Sequence, residues 1–267
     1  MRYVKYGLGI IFLGLLVFVS WLMLTPAPQG VLVLEYHHVS NDDEVEAEGQ
    51  TYTVPPAEFA QQLDYLQQQG YTTISMQDFV RAKKGKQELP EKPVILTFDD
   101  GYVDNYTTLL PLLEERGMKA TVYMVTNSIG RKGYLSWNQL REMQDRGIEL
   151  GSHTANHQPL TSLDREKQAE EMKLSKLLME WNGLKTIFTF SYPNGAYDEG
   201  MPELLKENEY LTAVTGDGGF NTFKTNPYLL QRTNIPRPRL GLWEFKLRLL
   251  KSEAMAKLGL RQHIVNE

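Results

Sequence analysis

Short apolar runs alternate with stretches of helical periodicity along most of this chain, and that alternation restricts its fold more than any other feature. A run at 31–34 is followed by Phe59, Leu63 and Leu66 at helical spacing up to Gly70, and then by a strand-like segment at 71–75. Further strands are expected at 94–98, 120–125, 148–152 and 186–190. Helices are expected at 111–116, ended by Gly117, at 137–146, ended by Gly147, and at 165–181, with a closing helix at 246–257. A strand–helix–strand rhythm brings each strand back in the same direction, so the fold class is α/β with a parallel sheet. Seven or so units suggest a (β/α) barrel, incomplete or distorted. Reactive side chains in such barrels stand at the C-terminal ends of the strands.

The N-terminus is of another kind. Residues 7–24 carry no charge, close to the minimum for one transmembrane helix. Arg2 and Lys5 precede them, which keeps that end cytoplasmic and sends the rest outside. A cleaved signal peptide, with Thr25 and Ala27 near the cut, is the competing expectation. The division expected is therefore 1–28, a cytoplasmic stub and membrane anchor, and 29–267, one catalytic domain, single-pass at the cell membrane and extracytoplasmic. Without cysteine, neither lipoprotein attachment nor a disulfide framework is available. A net charge of −5 speaks against nucleic acid as a partner. The acidic stretch between Ser40 and Pro56 reads as a surface loop.

Two short motifs carry chemistry. Thr97-Phe98-Asp99-Asp100-Gly101 closes one expected strand, and His153-Thr154-Ala155-Asn156-His157 follows another. An oxygen of Asp100 with an imidazole nitrogen from each His makes three protein ligands and leaves a position open, the pattern of a catalytic metal ion. Asp99, held beside it, can then take a proton from water. Each motif alone also has a plain reading: an Asp pair is often a turn or helix cap, and two His four apart often lie on a solvated helix face.

Together, T-F-D-D-G and H-T-x-x-H resemble the polysaccharide deacetylase family, carbohydrate esterase family 4, over about residues 31–240. The resemblance implies Asp99 as general base and Asp100, His153 and His157 as ligands of a divalent metal ion, usually Zn2+. The family's Arg-x-Pro-Tyr motif is represented by Ser191-Tyr192-Pro193-Asn194, so a Ser stands where an Arg would orient the base. Asn194 still offers its backbone N–H to an oxyanion, and Tyr192 and Pro193 stand at the implied substrate side. S-Y-P-x-G is similar to the permuted subgroup typified by exopolysaccharide poly-N-acetylglucosamine deacetylases, which takes its general acid from an N-terminal Tyr-His pair. Here that pair lies in Tyr36-His37-His38, whereas His263 sits in a polar tail. His37 is the implied acid, with His38 either its substitute or a surface neighbour. Arg232 is either the replacement partner of Asp99 or a solvated surface residue.

The function expected is metal-dependent hydrolysis of N-acetyl groups on an extracellular or cell-wall polysaccharide, releasing acetate. O-acetyl ester hydrolysis on acetylated xylan, and a weakly active membrane-tethered glycan-binding protein on the same scaffold, are the alternatives. The same three ligands also accept cobalt, nickel, manganese or iron.

Overall fold

A computed structural model describes residues 28–41 and 49–263, together with 12–14, 16–17, 20–21 and 24–25. Most of the expected anchor and the acidic residues 42–48 lie outside the described residues. Among the described residues no helix is long and apolar enough to cross a membrane.

The strands, in chain order, are β1 (Leu32–Tyr36), β2 (His38–Val39), β3 (Thr53–Val54), β4 (Thr72–Thr73), β5 (Pro93–Phe98), β6 (Thr121–Met124), β7 (Glu149–Ser152), β8 (Thr189–Ser191), β9 (Thr212–Val214) and β10 (Thr233–Asn234). The helices are α1 (Pro56–Gln68), α2 (Met76–Lys83), α3 (Leu110–Glu114), α4 (Trp137–Asp145), α5 (Arg165–Trp181), α6 (Met201–Glu207) and α7 (Leu242–Leu258). One parallel sheet runs β10-β1-β5-β6-β7-β8-β9. β4 and β6 pair with β5 at its two ends, at Thr72↔Pro93 and Thr97↔Thr121. The ends of the sheet approach each other through residues 230–235. The Leu230 N–H donates to Ala213 O at 3.0 Å on one side, and the Ile235 N–H donates to Glu35 O at 2.9 Å on the other. The sheet is therefore curled, with helices packed outside it.

Every residue of β1 and β5 is buried, because the sheet is covered on both faces. The two-residue period of a strand sorts their side chains. Leu32, Leu34 and Tyr36, with Val94, Leu96 and Phe98, join the large core under the helices, where Phe59 of α1 meets Tyr36 and Phe98 edge-on. Val33, Ile95, Tyr123, Val214 and Leu230 fill the inside of the curl, closed from below by Met76 and Phe79 of α2. The N-terminus of α2 is tied there by a Ser75–Asp78 capping box and by Glu149, which accepts from the Met76 and Gln77 N–H groups at 3.0 Å each.

The segment expected as a loop between Ser40 and Pro56 is only partly one. Beyond 42–48 it makes a turn at Gln50–Tyr52 and the buried strand β3, which pairs with β2. Buried backbone needs partners, and the second small sheet provides them.

Candidate active site

The inward-facing register continues upward from the apolar layer into a polar one. Above Val33 and Ile95 come Glu35, Thr97 and Asp99, and the opposite wall adds His153, Ser191 and Arg232. All six are buried. Asp100 would point the other way on a regular strand, but its φ of 73° swings it back over the end of the curl. Asp100, Thr154, His157 and Asn194 are four of the five non-glycine residues with positive φ among those described. Such conformations are uncommon for side-chain-bearing residues and gather where function requires them.

Asp100, His153 and His157 form a compact group. Asp100 Oδ1 lies 3.6 Å from His153 Nε2 and 3.4 Å from His157 Nε2, and the two Nε2 atoms are 3.1 Å apart. Two ligands at about 2.1 Å from a shared ion can be no more than about 4.2 Å apart, and all three pairs meet that limit. His153 Nδ1 is 2.8 Å from Ser191 O. Its N–H donates there, which leaves the Nε2 lone pair facing Asp100 and His157. Burial and the neighbouring His153 push the His157 imidazole below its ordinary value against the pull of Asp100, which keeps its nitrogen free to bind. The donor set fits a divalent cation. The plain reading of the spacing, a shared helix face, does not hold: His153 and His157 stand on the loop after β7, brought together by left-handed Thr154 and His157.

Asp99 is held away from that role. Arg232 grips it with both arms, Nη1 to Oδ1 at 2.9 Å and Nη2 to Oδ2 at 2.8 Å, and the Ser191 hydroxyl donates to Oδ2 at 3.0 Å. Arg232 is 1% exposed, so it is no surface residue. It also donates from Nη2 to Glu35 Oε1 at 2.8 Å and from Nε to Thr215 O at 3.0 Å. Burial alone would raise the Asp99 carboxyl, but the Arg232 guanidinium outweighs it and holds the group well below the usual carboxylate range. Glu35 goes the other way: burial, with the like charge of Asp99, pushes its carboxyl up despite Arg232. Asp99 is ionised in the folded protein at pH values where the unfolded chain is protonated. Its stabilisation is therefore present above the unfolded value of about 3.9 and lost as pH falls below it. Urea unfolding between pH 6 and pH 2 is expected to show this acid loss, and Asp99→Asn is expected to flatten it.

His37 and His38 take separate places. Oxygens of Glu35 and Asp99 lie within 4.8 Å of a His37 ring nitrogen, and the Tyr52 ring stands 4.8 Å from the imidazole. His38 is not a surface neighbour. It is buried, its Nδ1 lies 2.6 Å from Asp104 Oδ2, and its ring stacks on Tyr102 at 3.5 Å.

Tyr192 and Pro193, expected on the substrate side, are both buried, and Tyr192 packs in the large core beside Phe190. Strand parity explains the placement of Tyr192, since it follows Phe190 on the helix-covered face while Ser191 points inward. Asn194 is exposed at φ 56°, and the turn's own bonds use the Gly195 and Ala196 N–H groups. That turn needs Gly195, whose φ is 69° and where a Cβ would come within 2.3 Å of the Gly216 backbone. Gly195→Ala is expected to cost about 1–3 kcal/mol in thermal unfolding and to displace the Asn194 N–H.

Sequence inspection missed Glu35 and Asp104. The alternate spacing of Glu35 from Val33 on an otherwise apolar strand was the available signal. Asp104 carried none, because its partner lies 66 residues away.

A family model described as polysaccharide deacetylase matches residues 86–213. YxkH of Bacillus subtilis (strain 168), a protein whose name assigns it to the polysaccharide deacetylases, is 33% identical over 216 residues, covering 81% of this chain and 75% of that one. A poly-beta-1,6-N-acetyl-D-glucosamine N-deacetylase of Staphylococcus epidermidis is 26% identical over 200 residues, 66% of this chain and 69% of its own. Among solved structures, the Streptococcus pyogenes deacetylase PplD in complex with acetate superposes with a TM-score of 0.73 at 27% identity, covering 86% of this chain and 99% of that one.

Proposed function

The chain belongs to the polysaccharide deacetylase family, and on that premise we propose that it hydrolyses N-acetyl groups on an extracytoplasmic or cell-wall polysaccharide with the aid of a divalent ion, Zn2+ in the first instance. One observation carries this reading: an ionised Asp99, clamped by Arg232, stands next to but apart from a three-ligand group of Asp100, His153 and His157. Zn2+ held by those three residues supplies Lewis acidity toward the acetyl carbonyl and acidity to water.

The chain's own groups do the rest. Asp99 accepts the proton of the attacking water, with Arg232 and Ser191 fixing its oxygens in place. The Asn194 N–H donates to the developing oxyanion. His37 delivers a proton to the departing amine, from a ring nitrogen that lies within 4.8 Å of Glu35 and Asp99 oxygens. The products are acetate and a free amine on the glycan. Residues 29–267 are the catalytic domain in this reading, and 7–24 hold it to the membrane. Support for the anchor is an uncharged stretch behind Arg2 and Lys5, whose described members Phe12, Leu13, Leu16 and Val17 stand exposed.

The deciding experiment measures acetate release from poly-N-acetylglucosamine, peptidoglycan, chitin oligomers and acetylated xylan, with metal content recorded. Release from an N-acetylated glycan only after metal loading supports the proposal. Release from xylan alone would make the chain an ester hydrolase. His37→Ala is expected to keep its metal and lose turnover by about 10²–10⁴-fold; unchanged turnover would remove His37 from the reaction.

A further inference from the structure

α7 buries one side and leaves the other bare. Phe245, Leu249 and Ser252 face the domain. Trp243, Leu247 and Leu250 are 70%, 56% and 57% exposed, with Leu240 before the helix at 68%. At 3.6 residues per turn, positions 243, 247, 250 and 258 fall in one stripe about 80° wide, across the axis from 245, 249 and 252. Lone exposed apolar residues are ordinary on a protein surface, but a row of this length marks a contact surface.

Charge identifies what it contacts. Residues 236–263 hold seven Lys and Arg against two Glu, a balance of +5, in a chain whose net charge is −5. Both acids are already engaged, Glu244 by Arg248 and Glu253 by the Tyr71 hydroxyl. Lys246 and Lys251 flank the apolar stripe, and Lys246 Nζ stands 4.9 Å over the Trp243 ring. A second copy docked symmetrically across this face would set the Lys246 and Lys251 of one copy against those of the other. An anionic bilayer surface suits both features, because Trp and Leu enter the headgroup and acyl boundary while Lys and Arg meet the phosphates.

We propose that α7 is an interfacial membrane helix, lying with Trp243, Leu247 and Leu250 in an anionic lipid bilayer. It packs on the flank of the domain against α1, where the Tyr65 and Phe245 rings are 6.2 Å apart. The inference stands independently of the deacetylase reading.

Its test uses the full chain in phosphatidylglycerol–phosphatidylcholine vesicles with brominated acyl chains. The emission of Trp243 is isolated as the difference between wild type and Trp243→Phe, so that the other tryptophans cancel. Quenching of that difference signal by bromine, weakened when phosphatidylglycerol is left out, is the expected result. The exposed-face variant Leu247→Glu/Leu250→Glu is expected to lose the quenching while its thermal unfolding midpoint and circular dichroism are unchanged. An unquenched Trp243 overturns the proposal in either of two ways. Reached by acrylamide, the face lies in water; shielded from acrylamide, it is covered by a second copy or by another segment of this chain.

Discussion

Arg232→Met is expected to destabilise the fold by about 3–5 kcal/mol, the largest stability effect of any single substitution in the site. The guanidinium is the only cation bonded to the buried Asp99 carboxylate among the described residues, and it also serves Glu35 and the Thr215 carbonyl. Methionine fills the space and leaves the Asp99 charge in the interior with the Ser191 hydroxyl but without its cationic partner. Urea unfolding at pH 7 measures the effect, and a loss below about 1 kcal/mol would mean that the carboxylate is neutralised by other means. Arg232→Met combined with Asp99→Asn is expected to be less destabilised than additivity requires, because the second change removes the stranded charge. Arg232→Lys keeps the charge without the two-armed geometry and is expected to fall between wild type and Arg232→Met. Turnover should fall with stability here, since the same bonds orient the base.

The largest catalytic effect separates the two adjacent carboxylates. Asp99→Asn is expected to keep its metal and lose turnover by about 10²–10⁴-fold, the usual contribution of a positioned general base. His153→Ala is expected to lose both metal and turnover. Elemental analysis of the purified variants beside acetate release distinguishes them, and equal metal loss in the two would make Asp99 a ligand. The geometry argues for the division of labour. Both Asp99 oxygens are taken by Arg232 and Ser191, whereas Asp100 Oδ1 faces both Nε2 atoms. One donor on Oδ1 and two on Oδ2 fix the orientation of the Asp99 carboxylate and leave an Oδ1 lone pair to receive a proton.

Much of the fold was legible because its signals are local. Strand β5 and helix α5 lie within a residue of their expected bounds, since β5 is a short unbroken apolar run and α5 starts on the Asp164 side-chain cap. The missed elements α2, α6, β2, β3, β9 and β10 are between two and eight residues long. A segment of two or three residues is too short to display a period, and such strands exist only because neighbours supply their hydrogen bonds. α7 was found but begins four residues before its expected start, because its second apolar face obscures the usual one-sided pattern.

What the sequence by itself determined was the strand–helix alternation and the two motifs that end strands β5 and β7. Both are written in side-chain periods that need no distant partner to be read. Tertiary structure alone decided which groups meet. Residues 230–235 bring β10 against β1, and only that closure sets Arg232 on Asp99 across 133 residues and on Glu35 across 197. It also assigned His38 to Asp104 and turned Tyr192 into the core. The physical reason is that a strand dictates the face on which a side chain stands, while the partner it meets depends on how the sheet curls.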